Sequence, residues 1–416
     1  MPKDKPMPSA LDVSSIRRDF PILDTSVGSY PLCYLDNAAT TQIPKPVLDH
    51  LVDHYATANA NVHRGLHHLS SLSTTAYEHA RAKAAAFVNA PDPDCIVFTK
   101  GTTNSINMVA SGLSRRLKAG DKVVTTALEH HSNYVPWQKV CERSGATFRV
   151  ARLDEAGDID LEDLARCAEG ATIVAATCCS NVTGAVTPFR DIVRIAHDAD
   201  ALCLLDGAQA MRHVLMDVQD VGCDYLCFSG HKMMAPTGIG VLYGTPEALD
   251  LLEPAEYGGE MVDVVRKEET TLQPVPLRLE AGTPNYVGAI MLGHAMDYLT
   301  SCNREAIRVY EDELLAHAER LLLALEGLQI LGTPNRRSGC LSFSVDGVHP
   351  LDLCIMLDQK GIALRSGNSC AQPFLHGVLG IETATRLSVA FYNTREEIDR
   401  AVKAIEQTIP LVRQSF

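Results

Sequence analysis

Between Ile96 and Tyr243, seven short apolar runs alternate with segments of helical spacing. The runs are Ile96–Thr99, Lys122–Thr126, Thr147–Val150, Thr172–Thr177, Ala201–Asp206, Tyr225–Ser229 and Gly240–Tyr243. Nearly continuous apolar strands alternating with helices pack as a mostly parallel sheet covered on both faces. The pattern therefore predicts an α/β protein with a seven-stranded, mostly parallel sheet in a large domain. In such a sheet ligands gather beyond the carboxyl ends of the strands. The residues that follow each run are the first candidates for function.

The rest of the chain excludes several classes. At 416 residues it can bury a large core and suits two or three domains. Apolar residues make up 46% and charged residues 21%, ordinary for a globular chain in water. A net charge of −14 repels phosphates and argues against a nucleic-acid or anionic-membrane partner. Apolar runs such as Ala201–Leu205 are far too short to span a bilayer. Met1 to Asp12 is polar, carries three prolines and lacks an apolar core, so no signal peptide is expected. The thirteen cysteines are scattered, with one adjacent pair, Cys178-Cys179, and no C-x-x-C spacing. Most of them read as small buried hydrophobes in a reducing cytoplasm, and no metal site is expected.

After about Asn285 the pattern changes. Tyr310 to Glu326 has helical apolar spacing (Leu314, Ala318, Leu321, Leu322, Leu325) and Gly327 as a stop. Gly339–Val345 and Gly361–Ser366 read as strands, and Thr394-Arg-Glu-Glu397 is a capping-box pattern opening an amphipathic helix. Glu256 to Thr283, with Gly258-Gly259 and prolines, reads as an extended excursion. These features predict a large domain over 31–284 and a smaller α+β domain over 285–416. An N-terminal segment, 1–30, is expected to pack with the smaller one.

The strand ends carry chemistry. Asp206-Gly-Ala-Gln209 follows one apolar run, and Ser229-Gly-His231-Lys232 follows the next. An aspartate there also serves as a helix cap, and a lone lysine is commonly a surface residue. Together they suit pyridoxal phosphate, which needs a lysine for its aldehyde and an acid facing its pyridine nitrogen. Thr99-Lys100-Gly101-Thr102-Thr103 opens a helical segment, whose free amides and hydroxyls suit a phosphate or form a plain cap. Glu129-His130-His131-Ser-Asn adds an imidazole at the same edge, able to stack on a ring and shuttle protons or to play a structural part.

In this order the residues resemble fold-type I pyridoxal-phosphate enzymes of the class V aminotransferase group, and within it the group II, SufS-like cysteine desulfurases. The likeness runs from about Asp19 to Arg400, through Tyr34-Leu-Asp-Asn-Ala-Ala, Val62-His-Arg-Gly, Gly101-Thr-Thr, Asp206-Gly-Ala-Gln209, Ser229-Gly-His-Lys232, Gly282-Thr-Pro-Asn285 and Ala390-Phe-Tyr-Asn-Thr394. It implies that Lys232 forms the Schiff base, Asp206 faces the pyridine nitrogen, Gln209 contacts the phenolic oxygen and His130 stacks on the ring. Thr102, Thr103, Ser229 and His231 would hold the phosphate, joined by Thr283 of a neighbouring subunit in a homodimer with shared sites. Asn181 would lie near substrate and ring, Arg386 would clamp the substrate carboxylate, and Asn37, His63 and Arg64 would border the pocket.

The implied reaction turns L-cysteine into L-alanine and leaves a persulfide on Cys370, in Arg365-Ser-Gly-Asn-Ser-Cys-Ala-Gln-Pro373. Here Ser366 replaces the family's usual threonine, and Ser369 its usual histidine. A hydroxyl lowers a thiol's pKa less well than an imidazole, so an inert loop thiol at Cys370 stays open. The compact cysteine loop resembles group II, which implies sulfur transfer to a small SufE- or SufU-type acceptor. Selenocysteine lyase and cysteine C–S lyase share the scaffold and are the alternatives, with L-selenocysteine the substrate of the former. A catalytically silent sulfur-assembly scaffold is the non-enzyme alternative.

Overall fold

Each of the seven apolar runs forms a strand of one sheet in the computed structural model, which describes residues 11–414. The expectation for Met1 to Asp12 thus falls almost wholly outside the described residues. In chain order the strands are β1 (Ile96–Thr99), β2 (Lys122–Thr126), β3 (Thr147–Ala151), β4 (Ile173–Thr177), β5 (Leu202–Asp206), β6 (Tyr225–Ser229) and β7 (Gly240–Gly244). Their order across the sheet is β1-β7-β6-β5-β4-β2-β3. Only β7 runs against its neighbours, pairing antiparallel with both β1 and β6. Reversing direction twice makes β1 point the same way as β6. The carboxyl ends of β1, β2, β4, β5 and β6 therefore open on a single edge.

The central strands β4, β6 and β7 are buried at every position, as strands covered on both faces must be. One core lies on each face of this sheet. A third core belongs to the smaller domain, between its sheet and the helices Arg304–Leu322, Pro350–Asp358 and Arg395–Gln414. That sheet contains β8 (Leu328–Ile330), β9 (Cys340–Val345), β10 (Arg365–Gly367) and β11 (Ala384–Ser388), in the order β8-β9-β11-β10. The capping box at Thr394 is reciprocal: Thr394 N–H donates to Glu397 Oε2 at 3.0 Å, and Glu397 N–H to Thr394 Oγ1 at 3.3 Å.

Two segments shift the domain limits expected at 31 and 284. Helix Tyr286–Ser301 packs along His68–Val88 and Lys45–Thr57, and its buried side chains join the core of the large domain. Ten of its sixteen residues are buried, so the helix is apolar on nearly every side and needs the larger core to cover it. Conversely, Cys33–Tyr34 pairs with Ile362–Ala363, and Cys33 and Leu35 fill the small-domain core. The N-terminal segment bridges both parts. Arg17 ion-pairs with Glu397 at 2.9 Å, while Phe20 packs its ring on Tyr298, Phe391 and Tyr392. The excursion Glu256–Thr283 holds a short antiparallel hairpin, Val262–Val265 with Thr270–Leu272. Among the described residues no helix is long and apolar enough to cross a membrane.

Candidate active site

The shared strand edge opens into a cavity of about 240 Å³. Its walls include Thr102, Thr103, His130, Asn181, Asp206, Gln209, Ser229, His231 and Lys232 from the large domain, with Cys370 and Arg386 from the small one. Asp206, Lys232, the Thr102 turn and His130 each follow an apolar run, whereas Asn181, Cys370 and Arg386 were expected from the family resemblance.

At one end of the cavity, β1 turns at Gly101 (φ 139°) into helix Thr102–Leu113. The turn must come close to β7: a Cβ on Gly240 would sit 2.5 Å from the Gly101 Cα. That approach sets Thr102 against β6, where its N–H donates to Ser229 Oγ at 2.8 Å and its hydroxyl lies 2.7 Å from the same oxygen. Thr103 Oγ1 lies 2.7 Å from Ser132 Oγ. First-turn amides with a ring of hydroxyls make an anion site. His231 stands beside it, its pKa lowered to about 4, first by the packing around it and then by Lys232.

Asp206 ends β5 and is buried, with Oδ1 accepting from Ala208 N–H at 2.8 Å. Burial raises its pKa, while Lys232 pulls the other way. Lys232 follows β6 in the turn Gly230–Lys232. The protein packed around its amine lowers its pKa; Asp206 opposes this and Arg386 adds to it. An amine held below the usual lysine range is a usable nucleophile and base. Gln209 is fixed by donating from Nε2 to Ala38 O at 2.7 Å.

His130 is neutral. Desolvation, then Lys232 and His131, lower its pKa to about 3. Its Nδ1 accepts from Ser132 N–H at 3.0 Å. A backbone amide only donates, so the ring proton resides on Nε2. The preceding residue, Glu129, is fully buried and binds Thr126 Oγ1 at 2.6 Å, Asn133 Nδ2 at 2.6 Å and Thr177 N at 3.0 Å. Burial raises its pKa to about 8 against these hydrogen bonds.

Arg386, on β11, is buried and donates to Asn181 O at 2.9 Å and Asp36 Oδ1 at 3.0 Å. Asp36 also accepts from Arg365 at 2.9 Å, so one carboxylate orients two guanidinium groups. The Nε of Arg386 is buried without a hydrogen-bond partner among the described residues. Arg386 lines the cavity, where a guanidinium suits an incoming anion. Asp36 was not among the expected residues, although it follows the short apolar stretch Cys33–Leu35 just as Asp206 follows β5.

The cysteine loop forms the opposite lip. Ser369 (φ 49°) and Cys370 (φ 54°) are consecutive left-handed residues, a costly backbone for side chains with a Cβ. Asn181 Nδ2 donates to Ser369 O at 2.6 Å, and Cys370 N–H donates to Asn368 Oδ1 at 3.0 Å. Cys370 is exposed, whereas the other cysteines are buried or half-buried.

Four expected residues lie elsewhere. Asn37 is corrected to a structural role. It is buried, its Nδ2 donates to Ser388 O at 2.8 Å and Asn393 Oδ1 at 3.1 Å, and its Oδ1 accepts from the Tyr392 hydroxyl. Both ends of the amide are engaged within the protein, and Asn37 does not line the cavity. His63 pairs with Glu78 at 3.0 Å, and Arg64 reaches Glu260 at 3.4 Å; neither lines the cavity of its own chain. Thr283 lines a second cavity of about 330 Å³, with Phe98, Met108 and Leu279.

A parallel sheet presenting a desolvated lysine, a buried acid, a flat imidazole and a helix N-terminus around one cavity fits a heteroaromatic aldehyde with an anionic tail. The chain belongs to the class-V aminotransferase family, whose model matches residues 33–401. It is 44% identical to a probable cysteine desulfurase of Halalkalibacterium halodurans, across 96% of this chain and 98% of that one. It is 42% identical to a probable cysteine desulfurase of Staphylococcus aureus, across 96% and 97% respectively. Among solved structures, the apo cysteine desulfurase of Thermococcus onnurineus NA1 superposes with a TM-score of 0.91 at 37% identity, covering 98% of this chain and 99% of that one. The cysteine desulfurase CsdA (S-sulfonic acid) of Escherichia coli gives 0.90 at 36%, covering 97% and 100%.

Proposed function

We propose that this protein is a pyridoxal-phosphate-dependent cysteine desulfurase, converting L-cysteine to L-alanine with a persulfide left on Cys370. The observation that carries this reading is the meeting, in one cavity, of Lys232 and Asp206 from the sheet edge with Arg386 and Cys370 from the small domain. Lys232 would hold the cofactor's aldehyde carbon, Asp206 its ring nitrogen and Gln209 its phenolic oxygen. Thr102, Thr103, Ser229 and His231 would hold its phosphate. Bound there, the cofactor supplies an electron-withdrawing ring that stabilises negative charge at the substrate's α-carbon.

The chain's own groups do the rest. Arg386 fixes the substrate carboxylate. The Lys232 amine, its pKa lowered by the packing around it, removes the α-proton once released from the aldehyde carbon. His130 keeps its proton on Nε2 and offers it into the cavity. Cys370 attacks the substrate sulfur as a thiolate. The new S–S bond forms as the substrate's carbon–sulfur bond breaks, and the β-carbon takes up a proton on the way to alanine.

His63, Arg64 and Thr283 are assigned to the partner's cavity in a homodimer. They lie away from their own, and next to His63 and Arg64 the side chains of Leu66, Leu69 and Leu72 are exposed, an apolar patch suited to burial by a second copy. A SufE- or SufU-type acceptor is proposed for the sulfur, since Cys370 is exposed at the cavity lip.

Mass spectrometry of the holoenzyme after incubation with cysteine tests the function. The expected result is alanine, plus one added sulfur that disappears in Cys370→Ala. Pyruvate with free sulfide would overturn the desulfurase reading in favour of a C–S lyase. Stimulation of turnover by a SufE- or SufU-type protein tests the acceptor.

A further inference from the structure

The motif that places Glu129 and His130 also holds His131, which the chemistry above leaves unused. We propose that His131 is the positioning residue of Cys370, gripping the cysteine loop at the nucleophile's own carbonyl and two residues beyond it through its backbone and its imidazole. Its N–H donates to Cys370 O at 2.7 Å. Its Nε2 accepts from Gln372 N–H at 3.2 Å. Together with Asn181 Nδ2 on Ser369 O, they hold both carbonyls of the left-handed pair Ser369-Cys370, a conformation that persists only when its surroundings hold it. The imidazole also meets a local need. Gln372–Leu375 is a short helix with no side-chain cap of its own. His131 supplies the missing acceptor from another domain, tying the sheet edge after β2 to the loop that carries the sulfur.

This grip needs a neutral ring. With Nε2 accepting, the proton sits on Nδ1; a second proton on Nε2 would turn donor against donor and place positive charge at a helix N-terminus. One of the groups around it, His376, pushes the same way. His376, at the end of the short helix, is paired with Glu382 at 3.1 Å. The His130 ring lies 6.2 Å away, and Lys139 and Arg143 line the same groove. Desolvation, then His376, lower the pKa of His131. The grip is thus complete above that lowered value and is lost as pH falls through it.

The inference rests on the desulfurase reading, and its test separates the two. Three holoenzymes are compared: wild type, His131→Leu and His131→Gln, the last retaining an acceptor without a titrating group. Cofactor absorbance, KM and kcat for cysteine, and the rate of iodoacetamide labelling at Cys370 are measured from pH 5 to 9. His131→Leu is expected to lower kcat about tenfold, the scale of one lost hydrogen bond, with KM and absorbance unchanged and altered labelling at Cys370. His131→Gln is expected to recover most of that loss and to lack the wild-type acid limb. A Leu variant with wild-type kcat and labelling, a Gln variant no better than Leu, or an acid limb persisting in Gln would each overturn the role of His131. Wild-type enzyme without a sulfur adduct on Cys370 would overturn the desulfurase reading itself, and the positioning role with it.

Discussion

The two halves of the cavity are built differently. The cofactor half stands on the ends of five strands whose backbones are locked by sheet hydrogen bonds, and its glycines are packed within ångströms of neighbouring backbone. The sulfur half is a loop of left-handed residues tethered to the frame by Asn181 and His131. Regular structure positions groups accurately, whereas a loop permits displacement. The contrast suits a division of labour in which the ring stays fixed and the sulfur is carried outward.

The sharpest way to break this contrast is to remove one anchor from each half. Lys232→Ala should lower turnover by at least about a thousandfold and abolish the cofactor's lysine-bound absorbance band. Cys370→Ala should lose the sulfur adduct and keep the band; loss of the band in both variants would mean that the halves are not separable. Next in size comes Arg386→Lys, at the junction where Asn181 and Asp36 meet. A lysine cannot reproduce the planar fork, so KM for cysteine should rise about tenfold more than kcat falls, as steady-state kinetics will show.

Asn37→Ala sharpens the frame side. It should cost about 2 kcal/mol in urea unfolding, from the unmet partners it leaves, with KM unchanged; a raised KM would return Asn37 to the substrate. A further test lies in pH. Glu129 has its pKa raised to about 8 by burial, so the native state keeps a proton that the unfolded chain releases near the ordinary carboxyl value. Its contribution is full below the unfolded pKa and is lost as pH rises through about 8. The Tm of wild type should therefore fall between pH 5 and 9 more than that of Glu129→Gln; parallel curves would show that Glu129 is ionised throughout.

The sheet and its edge were legible because two local signals coincide there, an apolar run and then a polar group with distinctive chemistry. Asp206, Lys232 and the Thr102 turn each carry both. Asn37 also follows a short apolar stretch, but its amide is as fit for Tyr392 as for a substrate; only the fold reveals which partner it takes. Helix Tyr286–Ser301 falls beyond the change of pattern at about Asn285, yet its buried side chains pack with the large domain's helices. Periodicity marks a helix but not the core it joins. His63 and Arg64 belong to a surface whose partner is a second chain in the proposed dimer, and no pattern within one chain marks which copy they serve.

Strand β7 has a consequence for the order in which the protein is made. It separates β1 from β6, and β1 has no other partner in the sheet. During synthesis the turn at Gly101 thus waits, attached to an unpaired strand, until Gly240–Gly244 has left the ribosome and slotted beside it. The anion-binding turn and Lys232 come into register only then. Cofactor capture is therefore a late event in the life of each new chain, and an unfinished chain exposes an apolar edge for as long as translation is delayed before that strand.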